Sequence, residues 1–557
     1  MVMSRKKRMW GAAAGALLLT VTVSGCKPAA GDTVAHRPPE AAGGIPYDPP
    51  ITVTRVVNNT QERFAPGEDW DDNVFNRWSK ATLGIQLKTL WVVDNTNDNY
   101  KTKLKLSLSS EGMLPDIVPY RDTLNDLNEL IDSGRFMPVD ELFDRYANET
   151  WKKLAAQYPE MWYSVTKDGK KWAVPVFDYT YNVEPVLWIR EDWMRKLGLS
   201  APQTVDDLER IMDAFVHDDP DGNGIDDTYG IAVTLRDKVN TWIADLSWLF
   251  GAYGSVPRQW NLSGGQLAYG SIDPGNKLAL AKLRNWVEKR YIAADAVVWD
   301  ETKAAELFTL GKAGIVAGPH WLADWPLSQL KANVPGAQYK AYPVPAGPDG
   351  KRGVRAGYLN NMVNGYELIN KDSPHPEAYF VYYNYMLDHF ANPQAGSEFE
   401  NGFAEGYDWK RINGYASRDK SLNLLNPLAY SLNWDGARLP DLMIETLLKL
   451  KKGQAETPFE IQTQQYRTRE EIEAAAIVAD YERAHIRYPD YFVGASTPTM
   501  TSKLDLLHQM EVETYTNMIY GRTPIEAFDA FAARWRELGG DQITREVNDW
   551  YQSVLKK

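Results

Sequence analysis

Apolar and polar residues first alternate along Ile51-Thr52-Val53-Thr54-Arg55-Val56-Val57, the period of a half-buried strand. The pattern then predicts a helix over Asp69 to Thr82 and a second strand over Ile85 to Val93. Asn99 to Ser110 fits two periods: Leu104, Leu106 and Leu108 alternate as in a strand, whereas Tyr100, Leu104 and Leu108 share a helix face. Leu114 to Val118 and Trp172 to Pro175 read as further strands. Thr204, followed by Asp207 and the apolar Leu208 and Ile211, has the form of a capping box that opens a helix. Ala313 to Gly318 is the uncharged run of a buried strand and enters a helix near His320. From about residue 437 the chain is mainly helical, with amphipathic stretches around Ile444, Ile472 and Met510. There is no internal repeat. Strands alternating with helices predict an α/β fold.

The N-terminus follows other rules. Residues 4–8 are Ser-Arg-Lys-Lys-Arg, and the run from Gly11 to Gly25 is uncharged and short. A basic cluster before a short apolar run has the form of an export signal, whereas a buried first helix gives the cluster no role. The run ends in Leu19-Thr20-Val21-Thr22-Val23-Ser24-Gly25-Cys26, which resembles a bacterial lipobox. Cys26 is the only cysteine of the 557 residues, so it has no internal disulfide partner. The resemblance implies a diacylglyceryl thioether on Cys26, a protein held at the extracytoplasmic face of the cell membrane, and palmitate-type acylation. Residues 26–50, rich in Pro, Gly and Ala, then read as a disordered tether.

Composition narrows the partners. Loss of the four basic residues of the signal takes the net charge from −13 to −17, which argues against nucleic acid as a partner of the body. It leaves room for an acidic ligand held by local basic groups. The 20 Trp and 30 Tyr fill cores, but such rings also stack on the apolar faces of sugars.

The sharpest local motif is Asp219-Pro220-Asp221-Gly222-Asn223-Gly224-Ile225-Asp226-Asp227-Thr228. Oxygen-bearing side chains at alternate positions, with Gly at the turn, match the first half of an EF-hand loop. Calcium is the expected ion, with a structural role. Asp219, Asp221, Asn223 and Asp227 offer side chains and Ile225 its carbonyl, with Thr228 next in line. Position twelve is Gly230 and not the bidentate Glu of a full EF-hand. The alternative is a solvated Asx-Gly turn.

Four features together resemble one family. They are the lipobox at Cys26; Ser-Ser-Glu-Gly-Met-Leu-Pro-Asp-Ile-Val at 109–118; Leu-Trp-Ile-Arg-Glu-Asp-Trp with Leu-Gly-Leu and Pro-Gln-Thr over 187–204; and Gly311-Lys312-Ala313-Gly314 before His320-Trp321. In this order they resemble the extracellular solute-binding lipoproteins of bacterial ABC transporters, in the large sugar- and oligosaccharide-binding branch. The resemblance implies two α/β lobes joined by a hinge, with a sugar captured between them and handed to membrane permeases by a monomeric protein. It places crossings near 176–186, 335–345 and 385–395. The first lobe is then 51–176 with 336–388, and the second 177–335 with 389–557. Relatives in the alginate-binding branch carry an acid where this chain has Thr228.

The resemblance also points to loops after strand ends and at the hinge as ligand contacts. These hold Tyr120 and Arg121, then Asp178, Tyr179 and Tyr181, and Trp321 and Trp325. Trp260 and Trp434 are further aromatic candidates. For each ring, core packing is the competing expectation. Trp188 and Trp193 are assigned to packing. A glycoside hydrolase is the rival function, and it needs two carboxylates flanking a bond. Glu184, Asp300 and Glu301 are acidic, but none sits in a catalytic motif. A peptide- or signal-binding lipoprotein on the same fold is the other alternative.

Overall fold

The computed structural model describes residues 46–59, 62–94, 99–110, 112–121, 123–358, 362–433 and 436–555. Cys26, the signal and the tether to residue 45 lie outside the described residues, as does Trp434.

The chain opens with strand β1 (Ile51–Asn59), helix α1 (Val74–Leu83) and strand β2 (Ile85–Asp94), and β2 lies parallel to β1. The helix starts later than its pattern predicts because Asp69 Oδ1 accepts from the amides of Asp71 and Asp72 and turns the chain first. Asn73 then caps α1 by accepting from the Asn76 amide at 2.9 Å. Gly84 ends it at φ +69°, and a Cβ there would lie 2.2 Å from the Tyr47 carbonyl oxygen, so only glycine fits. The ambiguous segment is helix α2 (Asn99–Ser109). Its Leu104 is buried while Leu106 is 63% exposed, the signature of the helical period.

Two sheets organise the rest. Strands β3 (Ile117–Tyr120) and β4 (Val174–Phe177) belong to the first sheet. The chain then crosses to β5 (Val186–Arg190), helix α3 (Val205–His217), β6 (Tyr229–Ala232), β7 (Ala313–Gly318) and β8 (Tyr339–Tyr342). It returns to the first sheet as β9 (Val363–Ile369), giving the orders β3-β9-β4 and β8-β5-β7-β6. The capping box of α3 is present: Thr204 Oγ1 accepts from the Asp207 amide at 3.1 Å, and Asp207 accepts back from the Thr204 amide at 2.9 Å. All five residues of β5 and all six of β7 are buried, as expected of central strands covered on both faces.

The C-terminal part contains helices α4 (Leu442–Lys451), α5 (Pro458–Tyr466) and α6 (Arg469–Arg483), then the long α7 (Pro498–Ile519). The apolar side chains gather into two large cores and a small third cluster made by α4, α5 and α6. The first core includes Ala391, Phe399, Phe403, Tyr430 and Ala437 beside Phe75 and Tyr382. The stretch 389–437, expected in the second lobe, therefore packs in the first. Its rings do this: Phe75 stacks on Phe403 at 5.2 Å and Phe403 on Phe399 at 5.4 Å. Conversely Ala337, Tyr339, Ala341, Tyr342, Val344 and Val354 pack in the second core, although 336–388 was expected in the first. The passages between sheets fall at 178–185 and 343–362, with the last return to the third cluster near 438–442.

Candidate functional site

The register of the strands brings three loops to one edge. Gly318 at the end of β7 faces Val186 at the start of β5, and β6 runs parallel to β7. The loops after β6 and β7 thus emerge beside the chain arriving from the first sheet. Openings beyond the carboxyl ends of parallel strands are where α/β folds bind ligands.

This edge carries a stack of indoles. Trp242, on the loop after β6, lies 5.9 Å from Trp321 with the planes 10° apart. It lies 5.6 Å from Trp325 at 7°. Trp321 Nε1 donates to the Asn182 carbonyl at 2.9 Å, which fixes the stack to the first crossing. Trp325 is 52% exposed, so an aromatic surface faces solvent. Offset parallel rings at these separations attract one another and leave a flat apolar face for a further ring. The sequence indicated Trp321 and Trp325 but not Trp242. The available signal was the adjacency of two strands, each followed by a loop containing Trp.

The crossings are tied to one another. The Asp178 amide donates to the Met362 carbonyl at 2.5 Å, and the Thr180 amide donates to the Pro440 carbonyl at 2.8 Å. Asp178 Oδ1 accepts from the Tyr179 amide at 2.8 Å and pairs with Arg438 at 2.5 Å. The Arg438 guanidinium lies over the Tyr179 ring at 5.2 Å. Tyr179 packs on the third cluster, and burial raises its hydroxyl pKa above the usual tyrosine value. Tyr181 adopts φ +60°, and Arg487 lies over its ring at 4.6 Å. Arg487 also holds Glu184, which is fully buried, through Nε at 2.8 Å and Nη2 at 2.5 Å.

The other aromatic candidates are placed differently. Trp260 is 4% exposed and packs on Tyr269 and Phe492 inside the second core, which removes it from a ligand surface in this conformation. Tyr120 is 1% exposed and pairs with Tyr366 across the first sheet. Arg121 donates to the Asn364 carbonyl through Nε at 2.7 Å and to the Asn433 carbonyl through Nη2 at 2.5 Å, clamping β9 to the loop that leads to residue 434.

The acidic loop between α3 and β6 closes around Asn223. Its amide donates to Asp219 Oδ1 at 3.1 Å and Asp221 Oδ1 at 3.3 Å. Its side chain donates to Asp221 Oδ2 at 2.8 Å and Asp227 Oδ1 at 3.3 Å. The Ile225 amide donates to Asn223 Oδ1 at 2.6 Å. Burial and the neighbouring Asp219 and Asp227 carboxylates raise Asp221 above the usual range, while the Lys312 ammonium lowers Asp227 below it. Thr228 turns inward, its hydroxyl donating to the Phe215 carbonyl at 2.7 Å. Among the described residues no three His, Cys, Asp or Glu side chains are gathered tightly enough to hold a metal ion as they stand. By chemistry the loop fits a hard cation, since its donors are all oxygens and three are carboxylates.

Residues 64–391 match the family described as bacterial extracellular solute-binding protein. The chain is 30% identical over 253 residues to the polygalacturonan/rhamnogalacturonan-binding protein of Bacillus subtilis (strain 168), covering 44% of this chain and 46% of that one, less than two thirds of its length. It is 22% identical over 479 residues to a lipoprotein of the same organism, covering 84% and 87%. The crystal structure of an alginate-binding protein without calcium ion matches with a TM-score of 0.61 at 17% identity, covering 91% of this chain and 98% of that one. That likeness and the two sheets establish the two-lobe binding-protein fold. By its family match over more than half its length, the chain belongs to the bacterial extracellular solute-binding proteins.

Proposed function

We propose that this protein is a lipid-anchored receptor that captures an oligosaccharide between its lobes and delivers it unchanged to the permeases of an ABC transporter. The observation that carries the reading is the Trp242–Trp321–Trp325 stack beside the first crossing. Sugar rings present apolar C–H faces that pack on indoles, while their edges need hydrogen bonds from polar groups. The relatives named as binding polygalacturonan/rhamnogalacturonan and fructooligosaccharide support an oligosaccharide ligand, acidic or neutral. Ligand contacts shared by both lobes exist only in the closed form, so binding shifts the population toward closure. A permease then reads occupancy as shape.

Two further parts complete this reading. Cys26 carries the lipid, and the tether holds the body near its membrane partner, raising its effective concentration there. Cys26→Ser should release the protein from washed membranes, and equal retention of the variant would refute the anchor. Asp219, Asp221, Asn223 and Asp227, with the Ile225 carbonyl, would hold a calcium ion that neutralises the loop. Its role there is structural, fixing the entry to β6 and so the strand that leads to Trp242.

Titration calorimetry with galacturonan, alginate and fructan oligomers, alongside neutral disaccharides, tests the ligand class. Micromolar or tighter binding of an oligosaccharide is expected. Absence of binding to every sugar, with capture of a peptide instead, would overturn the sugar reading.

A further inference from the structure

Away from the indole stack, a cavity of about 170 Å³ lies where the 390–438 stretch of the first core meets helix α5. Its polar lining is Arg418, Arg438, Arg467, Tyr179, Tyr466 and Thr463, with Gln462, and the remaining wall is apolar. Each guanidinium pairs with a carboxylate that is not part of the lining. Arg418 reaches Asp408 at 3.3 Å, Arg438 reaches Asp178 at 2.5 Å and Arg467 reaches Glu471 at 2.7 Å. The cations therefore line the cavity while their counter-charges stand behind them.

Two polar atoms of the lining are left over. Arg467 Nε and Thr463 Oγ1 are buried without a well-formed hydrogen bond among the described residues, both side chains having only a polar contact with the Tyr466 hydroxyl. A buried donor left unmade costs about 1–3 kcal/mol, so a cavity with such groups holds polar matter. Water would satisfy the hydrogen bonds, but the local potential selects for negative charge. The Tyr466 ring has the Arg467 guanidinium at 4.8 Å and that of Arg418 at 5.4 Å. Burial pushes the Tyr466 hydroxyl up, yet Arg467 and Arg418 pull it down further, and it ends below the usual tyrosine value. An environment that lowers a buried phenol's pKa carries positive potential, and the three guanidinia of the lining supply the same attraction to a small oxyanion. The volume is below the roughly 300 Å³ at which pockets for drug-sized ligands begin, so it admits a small group and not an oligosaccharide.

We propose that this cavity binds a small oxyanion, a carboxylate or phosphate group, at a site separate from the indole stack. The position gives the site a consequence. Tyr179 belongs to the first crossing, Arg438 to the last, and Arg467 to the junction of α5 and α6. Helix α5 is already bonded to the first core through Gln462, whose Nε2 donates to the carbonyls of Phe399 at 3.0 Å and Glu400 at 2.8 Å. An oxyanion held by these guanidinia beside Tyr179 ties the segments of the hinge to one another. It thereby biases the equilibrium between open and closed forms without touching the sugar.

The test is thermal melting and calorimetry of the whole protein with potassium phosphate, potassium acetate and potassium galacturonate, each against potassium chloride at equal ionic strength. At least one oxyanion should raise the melting temperature saturably above the chloride control. The oxyanion giving the largest shift identifies the source, with galactose as the neutral counterpart of galacturonate. Thr463→Leu, which narrows the cavity without removing a charge, should weaken that binding about tenfold or more. Arg418→Gln should do likewise and serves as the reading if the first variant does not fold. An equal shift in Thr463→Leu and wild type, or no oxyanion effect beyond chloride, overturns the proposal.

Discussion

The Lys312 ammonium stands 2.5 Å from the Asp227 carboxylate and 4.0 Å from that of Asp221, so a cation of the chain itself already serves the acidic loop. Lys312 immediately precedes β7, and the loop immediately precedes β6, its parallel neighbour. The ion pair therefore pins together the starts of the two strands whose far ends lead to Trp321 and Trp242. Calcium and Lys312 would compete for the same oxygens. Lys312→Met should bind calcium several-fold more tightly than wild type by calorimetry, and its melting temperature should fall more on adding chelator. Calcium binding to neither protein would refute the calcium site. Equal affinities would leave the site standing and remove the competition.

Trp325 and Trp260 should separate binding from stability. Trp325 is half exposed, so Trp325→Ala should leave the melting temperature nearly unchanged. It should weaken sugar binding by about 1–1.5 kcal/mol, roughly tenfold, the scale of one aromatic contact. Trp260→Ala empties a buried site and should cost about 3–5 kcal/mol of stability. The reverse assignment of effects would place the ligand elsewhere.

Glu367 makes stability depend on pH. It is buried in β9, its Oε2 meets no partner among the described residues, and burial pushes its pKa up to about 8 against a weaker downward pull from Arg121. The unfolded carboxyl titrates near 4.3, so the folded state holds the proton more tightly. The stability Glu367 contributes is then fully present below the unfolded value and is lost as pH rises from there through about 8. Asp490, buried and raised to about 7, acts in the same direction. Glu367→Gln should flatten the decline in melting temperature between pH 5 and pH 9. An unchanged slope in that variant would show that Glu367 is ionised throughout.

These sites differ in how far the sequence exposes them. The uncharged run of β7 announces a buried strand, so the residues after it, Trp321 and Trp325, stand out at once. Trp242 does not, because β6 has only four residues and its stacking partners lie about eighty positions away in sequence. Trp260 reads like the others because one aromatic residue in a loop-rich stretch has the same pattern whether it faces a ligand or a core. The stretch 389–437 has little regular structure, and contacts distant in sequence, such as Phe403 on Phe75 and the Arg55 bonds to the Tyr430 and Ser431 carbonyls, assign it to the first core. The first crossing comes from the family resemblance, which puts it near 176–186, and not from the residue pattern; β4 and β5 lie on either side of 178–185.

Glu184 offers a test of binding against hydrolysis. A catalytic acid must reach the bond it protonates, and a hydrolase needs a second carboxyl roughly 5–9.5 Å away. Glu184 is fully buried and held by Arg487, which also pairs with Glu482 and covers the Tyr181 ring. Asp300 is occupied as a helix cap, its Oδ1 accepting from the Lys303 amide at 2.8 Å. In this conformation Glu184 is therefore committed to the first crossing. Removing the carboxylate leaves a largely buried guanidinium with only Glu482 to balance it, and breaking a buried pair costs about 3–5 kcal/mol. Glu184→Gln keeps the volume and one acceptor, so it should lower the melting temperature while the folded protein still binds sugar. Chromatography of an oligosaccharide after long incubation should show unchanged chain length with wild type and with the variant alike. Products made by wild type and absent with Glu184→Gln would mean that Glu184 becomes exposed in another conformation and that the protein is a hydrolase.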